Sequence, residues 1–538
     1  MKKGSGTSVY PGIAIGAAVV FQKKEHVFRD ERGNTAAELE KFHRACQDAK
    51  EQLAALYEKA VRELGEAQAA IVEVQILMLE DPDFTESVTQ EIAGGKAAAM
   101  AVTDCGERMA EMFAALNDEY MSARASDIRD VCHRVTNILC GIDTDLHFPE
   151  ESFILVAKDL APSETIQLPR ERILSIVTQQ GSTNSHTAIL ARALGIPSLI
   201  QADIDLKDVT ACHTLAVDGD TGEWMIEPDD ATQKDLRNRQ QECDLAKAAL
   251  EQYRGKKSLT KSGKQVHLYA NIGCLDDAKL AIAGDAEGVG LLRSEFLYIG
   301  RNSLPQEEEQ YEAYRKVAEC MSGRPIIIRT LDIGADKCAE YLNLPKEENP
   351  ALGLRGLRLC LTRKELFRTQ LRAIYRASVQ GNISVMFPMV SALWELQQAK
   401  QICAEVRQEL AQQGHPVKEI PIGVMIETPA AAVLADQFAK EADFLSVGTN
   451  DLTQYTLALD RQNPGLHEFF DPYHPALLAL LEHIAACANK AGIWAGICGE
   501  LGADTKMTET FIRMGYRELS MSPGKILEIR KFIWESEA

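Results

Sequence analysis

The chain of 538 residues contains no apolar run long enough to span a membrane, which excludes a helical membrane anchor. Its opening, Met1 to Pro11, lacks the long apolar core of a signal peptide, so a cytoplasmic protein is expected. None of the 13 cysteines falls in a CxxC pair, and their odd number argues against a disulfide framework. Positive charge is scarce: 58 Lys and Arg against 79 Asp and Glu leave a net charge of −21. That argues against a nucleic-acid-binding surface; from charge alone, acidity that keeps a cytosolic protein soluble is the simpler reading and a basic partner the alternative. What is present is ordinary globular composition, 46% apolar and 25% charged, in a chain too long for one core.

Periodicity divides the chain. Val9 to Val20 reads as one or two short strands. From Thr35 to Cys140 the pattern is helical, with Leu39, Phe42, Cys46, Leu53, Leu56 and Ala60 on one stripe. Ala69–Leu79, Ala98–Leu116 and Ala123–Leu139 continue it, and Pro82 marks a helix boundary. Strands return at Phe153–Val156 and Ile173–Val177. Thr214–Ile226 reads as two more strands around the turn at Asp218–Gly222. The simplest topology joins the N-terminal strands to this later segment in one α/β domain, with an all-helical bundle inserted.

Asp229–Tyr253 reads as a charged helix, and Gly255–Lys264 as a hinge. Beyond it, apolar runs near Val266–Ile272, Gly288–Leu297, Ile326–Ile333, Ile383–Val390, Ile422–Thr428, Phe444–Leu452, Trp494–Gly499 and Glu518–Ser522 alternate with helical stretches. Such runs in roughly 270 residues predict a (β/α)8 barrel, with a doubly wound sheet as the alternative. The barrel is favoured because polar residues close most of the runs, where barrel enzymes keep their chemistry.

Those polar residues form a constellation. Arg293, Arg329, Arg355 and Arg461 at one mouth would bind a small polyanion through bidentate hydrogen bonds. Glu427 and Asp451, with Asn450 beside them, suit Mg²⁺, which takes one or two carboxylates and fills its octahedron with substrate and water. Cys498 closes a run where a thiol could pass a proton to carbon. In GSTNSHTAILARALGIPSLI, Gly181 to Ile200, His186 stands between Ser185 and Thr187 at a helix start. Free N–H groups and the positive helix end there can hold phosphoryl oxygens, so His186 is a candidate phosphate carrier. Read singly, each of these residues fits a cap, a surface arginine, an ion pair or a packing thiol.

Together the segments KDLAPSETIQL (158–168), SHTAILAR (185–192), GVGLLRSEFLYIGR (288–301), RTLDIGADK (329–337), KEENPALGLRGLR (346–358), GVMIETPAAA (423–432), SVGTNDLTQYTLALDR (446–461) and GICGELGAD (496–504) resemble Enzyme I of the bacterial phosphoenolpyruvate-dependent sugar phosphotransferase system. The resemblance runs over nearly the whole chain. It implies that His186 is phosphorylated through Nε2, with Thr165 hydrogen-bonding near its ring. Arg293, Arg329, Asn450 and Arg461 would bind phosphoenolpyruvate, with Arg355 as a further basic residue and Asp451 at the same site. Glu427 and Asp451 would hold Mg²⁺, and Cys498 would protonate the enolate carbon to give pyruvate. The implied layout is an N-terminal part of a phosphohistidine α/β domain (1–33), an all-α domain that docks the phosphocarrier HPr (34–143) and the rest of the α/β domain (144–228). A linker helix and hinge (229–258) and a phosphoenolpyruvate-binding (β/α)8 barrel that dimerises the protein (259–538) complete it. Ser182-Thr183-Asn184 depart from the glycine, basic residue and threonine usual in that family before Ser-His. Pyruvate phosphate dikinase and phosphoenolpyruvate synthase share these parts but need a large ATP-binding domain ahead of the phosphohistidine. A non-catalytic scaffold would have no use for the intact Arg, Glu, Asp and Cys positions.

Overall fold

The computed structural model describes residues 1–21, 34–64, 66–115, 119–142, 148–181, 185–299, 301, 303–334, 340–461 and 463–538. Ser182-Thr183-Asn184 and Lys337 lie outside the described residues, as does the side chain of His186. The chain forms two compact units, Met1–Ala246 and Lys247–Ala538.

The first unit is built on an eight-stranded sheet. Its members are β1 (Lys2–Ser5), β2 (Thr7–Tyr10), β3 (Ile13–Phe21), β4 (Phe153–Ala157), β5 (Ile173–Thr178), β6 (Ser198–Ile200), β7 (Leu215–Asp218) and β8 (Glu223–Ile226). They stand in the order β1-β8-β7-β3-β4-β5-β6-β2. β3 runs parallel to β4 and antiparallel to β7, so N-terminal and later segments share one sheet. Between β3 and β4 in sequence lie α1 (Thr35–Leu64), α2 (Glu66–Glu80), α3 (Pro82–Ala93), α4 (Ala98–Ala115) and α5 (Glu119–Leu139), the inserted bundle. The stripe on α1 buries Phe42, Cys46, Leu53, Leu56 and Ala60 against α2–α5, forming a core separate from that of the sheet. α3 was not foreseen. It starts where Asp81 caps Asp83 N–H at 2.8 Å and Pro82 takes the first helical position, which needs no donor.

After β4 come α6 (Pro162–Gln167), α7 (His186–Leu194), α8 (Leu206–Thr210) and α9 (Asp230–Glu251). The unit boundary falls inside α9. The stretch that follows α9 is fastened to the C-terminal helix, Ile526–Glu535. Arg530, 1% exposed, donates to Ser258 Oγ (3.2 Å), to Asp285 O (2.7 Å) and to the Asp285 carboxylate. Trp534 Nε1 donates to Lys257 O at 2.8 Å.

The second unit is a closed barrel of eight parallel strands: β9 (His267–Ile272), β10 (Gly288–Arg293), β11 (Pro325–Arg329), β12 (Asn382–Phe387), β13 (Ile422–Ile426), β14 (Phe444–Val447), β15 (Trp494–Ile497) and β16 (Glu518–Met521). Each expected strand is present, and the doubly wound alternative is set aside by closure. Several end earlier than their apolar runs suggest. Ser294–Leu297 turns into a 3-10 helix, and Thr449–Leu457 is a helix that carries Asn450 and Asp451 in its first turn. Alternation sends Leu268, Val289, Ile328, Val385, Val424 and Leu445 outward into the core shared with the surrounding helices. Leu291, Ile327, Met386, Met425, Phe444 and Cys498 fill the interior. Among the described residues no helix is long and apolar enough to cross a membrane, and all 12 described cysteines are free.

Candidate active site

A cavity of about 830 Å³ opens at the C-terminal ends of the barrel strands. Arg293, Arg329, Arg355, Arg461, Glu427, Asn450, Asp451 and Cys498 all line it. Their routes there differ from the sequence expectation. Only Arg293 and Arg329 close strands, β10 and β11. Arg355 precedes the helix Gly356–Thr362, and Arg461 follows the helix Thr449–Leu457.

The arginines are not equivalent. Arg329 is buried, donating to the Glu295 carboxylate, with Asp332 at 3.2 Å and Met425 Sδ at 3.7 Å. Burial alone would lower its pKa, but Glu295 and Asp332 hold it above the usual value, so its charge is secure. Arg355 is also buried and forks onto Asp332, Nη2 lying 3.0 and 2.9 Å from the two oxygens and Nε 3.1 Å from one. Its Nη1 reaches Tyr455 OH at 3.3 Å. Arg461 Nη2 lies 3.6 Å from Asp451 Oδ1, and Arg355 Nη2 lies 3.8 Å from Asp451 Oδ2. Arg293 is exposed and pairs with no described acid.

Glu427, 1% exposed, accepts a 2.6 Å hydrogen bond from Met389 N–H. Met389 holds a left-handed backbone, φ 57°, a strained conformation for a non-glycine residue that this contact helps fix. Desolvation, then the nearby Asp451 and Asp332 carboxylates, push the Glu427 carboxyl up, to about 8. Asn450 is locked in place: its Nδ2 donates to Glu500 Oε1 at 3.3 Å and its Oδ1 accepts from Glu500 N–H at 3.1 Å. Cys498 lies just past β15. Its N–H donates to Val447 O at 3.0 Å, and burial pushes its thiol up to about 12, so it is a proton donor rather than a thiolate.

Glu427 and Asp451 present two hard oxygen donors to one cavity, and crowding drives one of them toward protonation. A divalent cation held by both would relieve that crowding. Among the described residues there is no closed cage of three or more His, Cys, Asp or Glu. The donor set therefore fits a cation that keeps water and substrate oxygens, as Mg²⁺ does.

In the first unit, α7 begins at His186. Ser185 has an extended backbone (φ −64°, ψ 157°), and its Oγ accepts from Ala188 N–H at 3.3 Å. At the other end Gly195 adopts φ 65° and closes the helix. Thr165 is buried in α6, which packs against α7. Glu295, Asp332 and Tyr455 are the site residues that the sequence reading left without a role. All three lie inside the segments that carry the family resemblance, but an acid or a phenol near an arginine gives no signal until the barrel closes.

A barrel mouth lined by four arginines, seven acidic residues and a buried thiol suits an enzyme that handles a small phosphorylated acid. Three family models agree on that class: "PEP-utilising enzyme, N-terminal" over residues 5–124, "PEP-utilising enzyme, mobile domain" over 149–222 and "PEP-utilising enzyme, PEP-binding domain" over 247–538. The chain is 40% identical over 536 residues to a phosphoenolpyruvate-protein phosphotransferase of Staphylococcus carnosus, covering 99% of this chain and 94% of the relative. It is 41% identical over 532 residues to that of Bacillus subtilis, covering 98% and 93%. An NMR solution structure of Enzyme I is similar to 45% of this chain and 99% of its own, at 31% identity and a TM-score of 0.39. The chain belongs to the phosphoenolpyruvate-protein phosphotransferase family of PEP-utilising enzymes.

Proposed function

We propose that this protein transfers the phosphoryl group of phosphoenolpyruvate to His186 and then to a histidine of an HPr phosphocarrier, releasing pyruvate. This would be the first step of a sugar-uptake phosphorelay. The observation that carries the reading is the convergence of Arg293, Arg329, Arg355, Arg461, Glu427, Asp451 and Cys498 on one cavity.

Each residue has a task in that reaction. Arg293, Arg329 and Arg461 bind the phosphoryl and carboxylate oxygens, and Asn450 donates an amide N–H. Arg355, held by Asp332, adds positive charge from behind. Mg²⁺ on Glu427 and Asp451 supplies further positive charge beside the transferring group when bound. His186 Nε2 attacks phosphorus in line, and the bond to the enolate oxygen breaks. The Cys498 proton then goes to the methylene carbon, which makes pyruvate and draws the transfer forward. Thr165 orients the imidazole from α6, and free N–H groups at the start of α7 receive the phosphoryl oxygens.

His186 has to serve two stations in turn, the barrel mouth and an HPr docked on the α1–α5 bundle. Both need in-line access to the same ring nitrogen, so the α/β domain swings between them. We place the motion in the linker, residues 229–258, and within it in α9, because the chain beyond Tyr253 is fastened to the C-terminal helix. The remaining parts follow the same layout: α/β domain 1–33 and 144–228, HPr-docking bundle 34–143, barrel and homodimer interface 259–538, in a cytoplasmic protein.

The test is labelling from phosphoenolpyruvate with Mg²⁺ and an HPr protein. Wild type should release pyruvate and carry an acid-labile, base-stable phosphoryl group. His186→Ala should carry none. Mass spectrometry that finds the label on another residue would overturn the assignment.

A further inference from the structure

Beneath Cys498 the barrel interior holds an acid that the reaction so far leaves unused. Phe444 and Cys498 belong to the interior, whereas Leu445, Val447, Ala495, Ile497 and Leu519 face the surrounding helices. Strand alternation therefore turns Ser446, Gly496 and Glu518 inward as well. Ser446 and Glu518 both pair with Gly496 in the parallel register. The three make one row across β14, β15 and β16, with the glycine in the middle. A Cβ on Gly496 would overlap the Glu518 carboxyl, and a Cβ on Gly290 would stand 2.5 Å from Glu518 Oε1. Two glycines thus open the space that this carboxyl fills. Cys498 follows Gly496 by two residues on the same face, about 7 Å further along the strand direction.

Glu518 is 2% exposed, and the Ser520 hydroxyl beside its carboxyl is shared with Ile497 O, to which it donates at 3.3 Å. Ser446 Oγ is buried too, and its hydroxyl stands beside the Cys498 thiol as a hydrogen-bond partner. Desolvation raises the Glu518 carboxyl well above its usual range, which favours its protonated form. A buried acid and a hydroxyl that reaches the thiol therefore lie on either side of Gly496, under Cys498. Packing alone does not account for them, since an apolar pair would fill the same space without buried polar atoms.

We propose that Glu518 is a positioning residue for proton delivery, returning a proton to Cys498 through the Ser446 hydroxyl after the thiol has protonated the enolpyruvate carbon. The inference rests on the proposed reaction. First the S–H bond breaks and a C–H bond forms on the methylene carbon, leaving a thiolate. Then the Ser446 proton passes to sulfur while the Glu518 proton passes to the Ser446 oxygen, leaving a carboxylate. Once pyruvate has left, water at the mouth gives a proton to the Cys498 sulfur as the Cys498 proton passes to the Ser446 oxygen and the Ser446 proton to the Glu518 carboxylate, which restores all three groups. Desolvation makes a lasting thiolate costly at Cys498, which is the reason a nearby acid is useful.

The experiment compares wild type, Glu518→Gln and Ser446→Ala as full chains with phosphoenolpyruvate, Mg²⁺ and an HPr protein. Rapid quench gives the first turnover and steady state gives kcat and KM. Glutamine keeps the size of Glu518 but cannot release a proton. In both variants the first equivalent of pyruvate should form at the wild-type rate. The steady-state kcat should then fall about 10- to 100-fold. Because the impaired step follows product formation, kcat/KM should stay within about twofold of wild type. An unchanged kcat, or a joint fall of kcat and kcat/KM without a burst, overturns the relay. If Glu518→Gln does not fold, Ser446→Ala, which removes one oxygen, decides by the same outcomes. If wild type releases no pyruvate, the proposed reaction falls and takes this inference with it. A working wild type with unaffected variants removes the relay alone.

Discussion

Arg329 and Arg293 close adjacent strands and read alike in sequence, yet they have different surroundings. Arg329 is buried between Glu295 and Asp332, whereas Arg293 is exposed and has no acidic partner among the described residues. Arg329→Lys loses the planar fork and leaves two buried acids short of donors. Turnover of that variant should fall about 100-fold, the scale of roughly 3 kcal/mol for a lost contact to a transferring group. Arg293→Lys keeps a charge in an open position and should fall less. Steady-state pyruvate release checks the order, and equal losses would contradict it. Residues such as Arg329, Glu427 and Cys498 were legible because each closes an apolar run, a local pattern. Glu295 and Asp332 were not, because their roles depend on which strands become neighbours. The strain at Met389 was illegible for the same reason, since it depends on Glu427 reaching across from β13 to the loop after β12.

At the scale of elements, long apolar runs were read well and their ends poorly. All eight barrel strands stand where the runs predict them, because a parallel strand buried on both faces needs such a run. Their ends were overextended because the apolar residues continue into the turns, as in Phe296-Leu297 and Leu452. β1, β2 and β6 gave little signal: they are short, and β1 and β2 are mostly exposed. The fastening of the C-terminal helix was also illegible, because Arg530 meets Ser258 across nearly the whole length of the barrel unit. Arg530→Ala would leave Asp285 without its guanidinium, while Ser258 would keep only its hydrogen bond to Glu287 Oε1 at 2.6 Å. Because Asp285 is partly exposed and still accepts from Gly255 N–H, losing this charge-assisted contact should cost about 1.5–3 kcal/mol. Calorimetry should record this as a lower melting temperature for the barrel, and an unchanged transition would contradict it.

The whole molecule joins two self-contained units through one helix. A fragment of residues 247–538 retains Tyr253, Lys257 and Ser258, which bind the C-terminal helix, and should fold by itself. It should bind phosphoenolpyruvate with Mg²⁺, pass nothing to HPr for want of His186, and self-associate through the proposed barrel interface. Sedimentation that finds only monomer at micromolar concentration, with both ligands present, would count against that interface. A fragment starting at residue 259 lacks those fastenings and should melt earlier.

The pairing of arginines with acids at the mouth also bears on how fast substrate arrives. Four arginines line the cavity together with seven acidic residues, Glu295, Asp332, Glu348, Glu427, Asp451, Asp460 and Glu500. Among the described residues the cavity lining carries no surplus of positive charge, and the whole chain has a net charge of −21. A triply charged anion is therefore repelled at long range and held only on contact. Added salt screens the repulsion over about 10 Å at 0.1 M. The bimolecular association rate of phosphoenolpyruvate, read by stopped flow at fixed Mg²⁺, should rise between low and moderate ionic strength. In an enzyme that steers its substrate by field the rate falls. Here capture would be governed by diffusion against the field, and selectivity by dissociation.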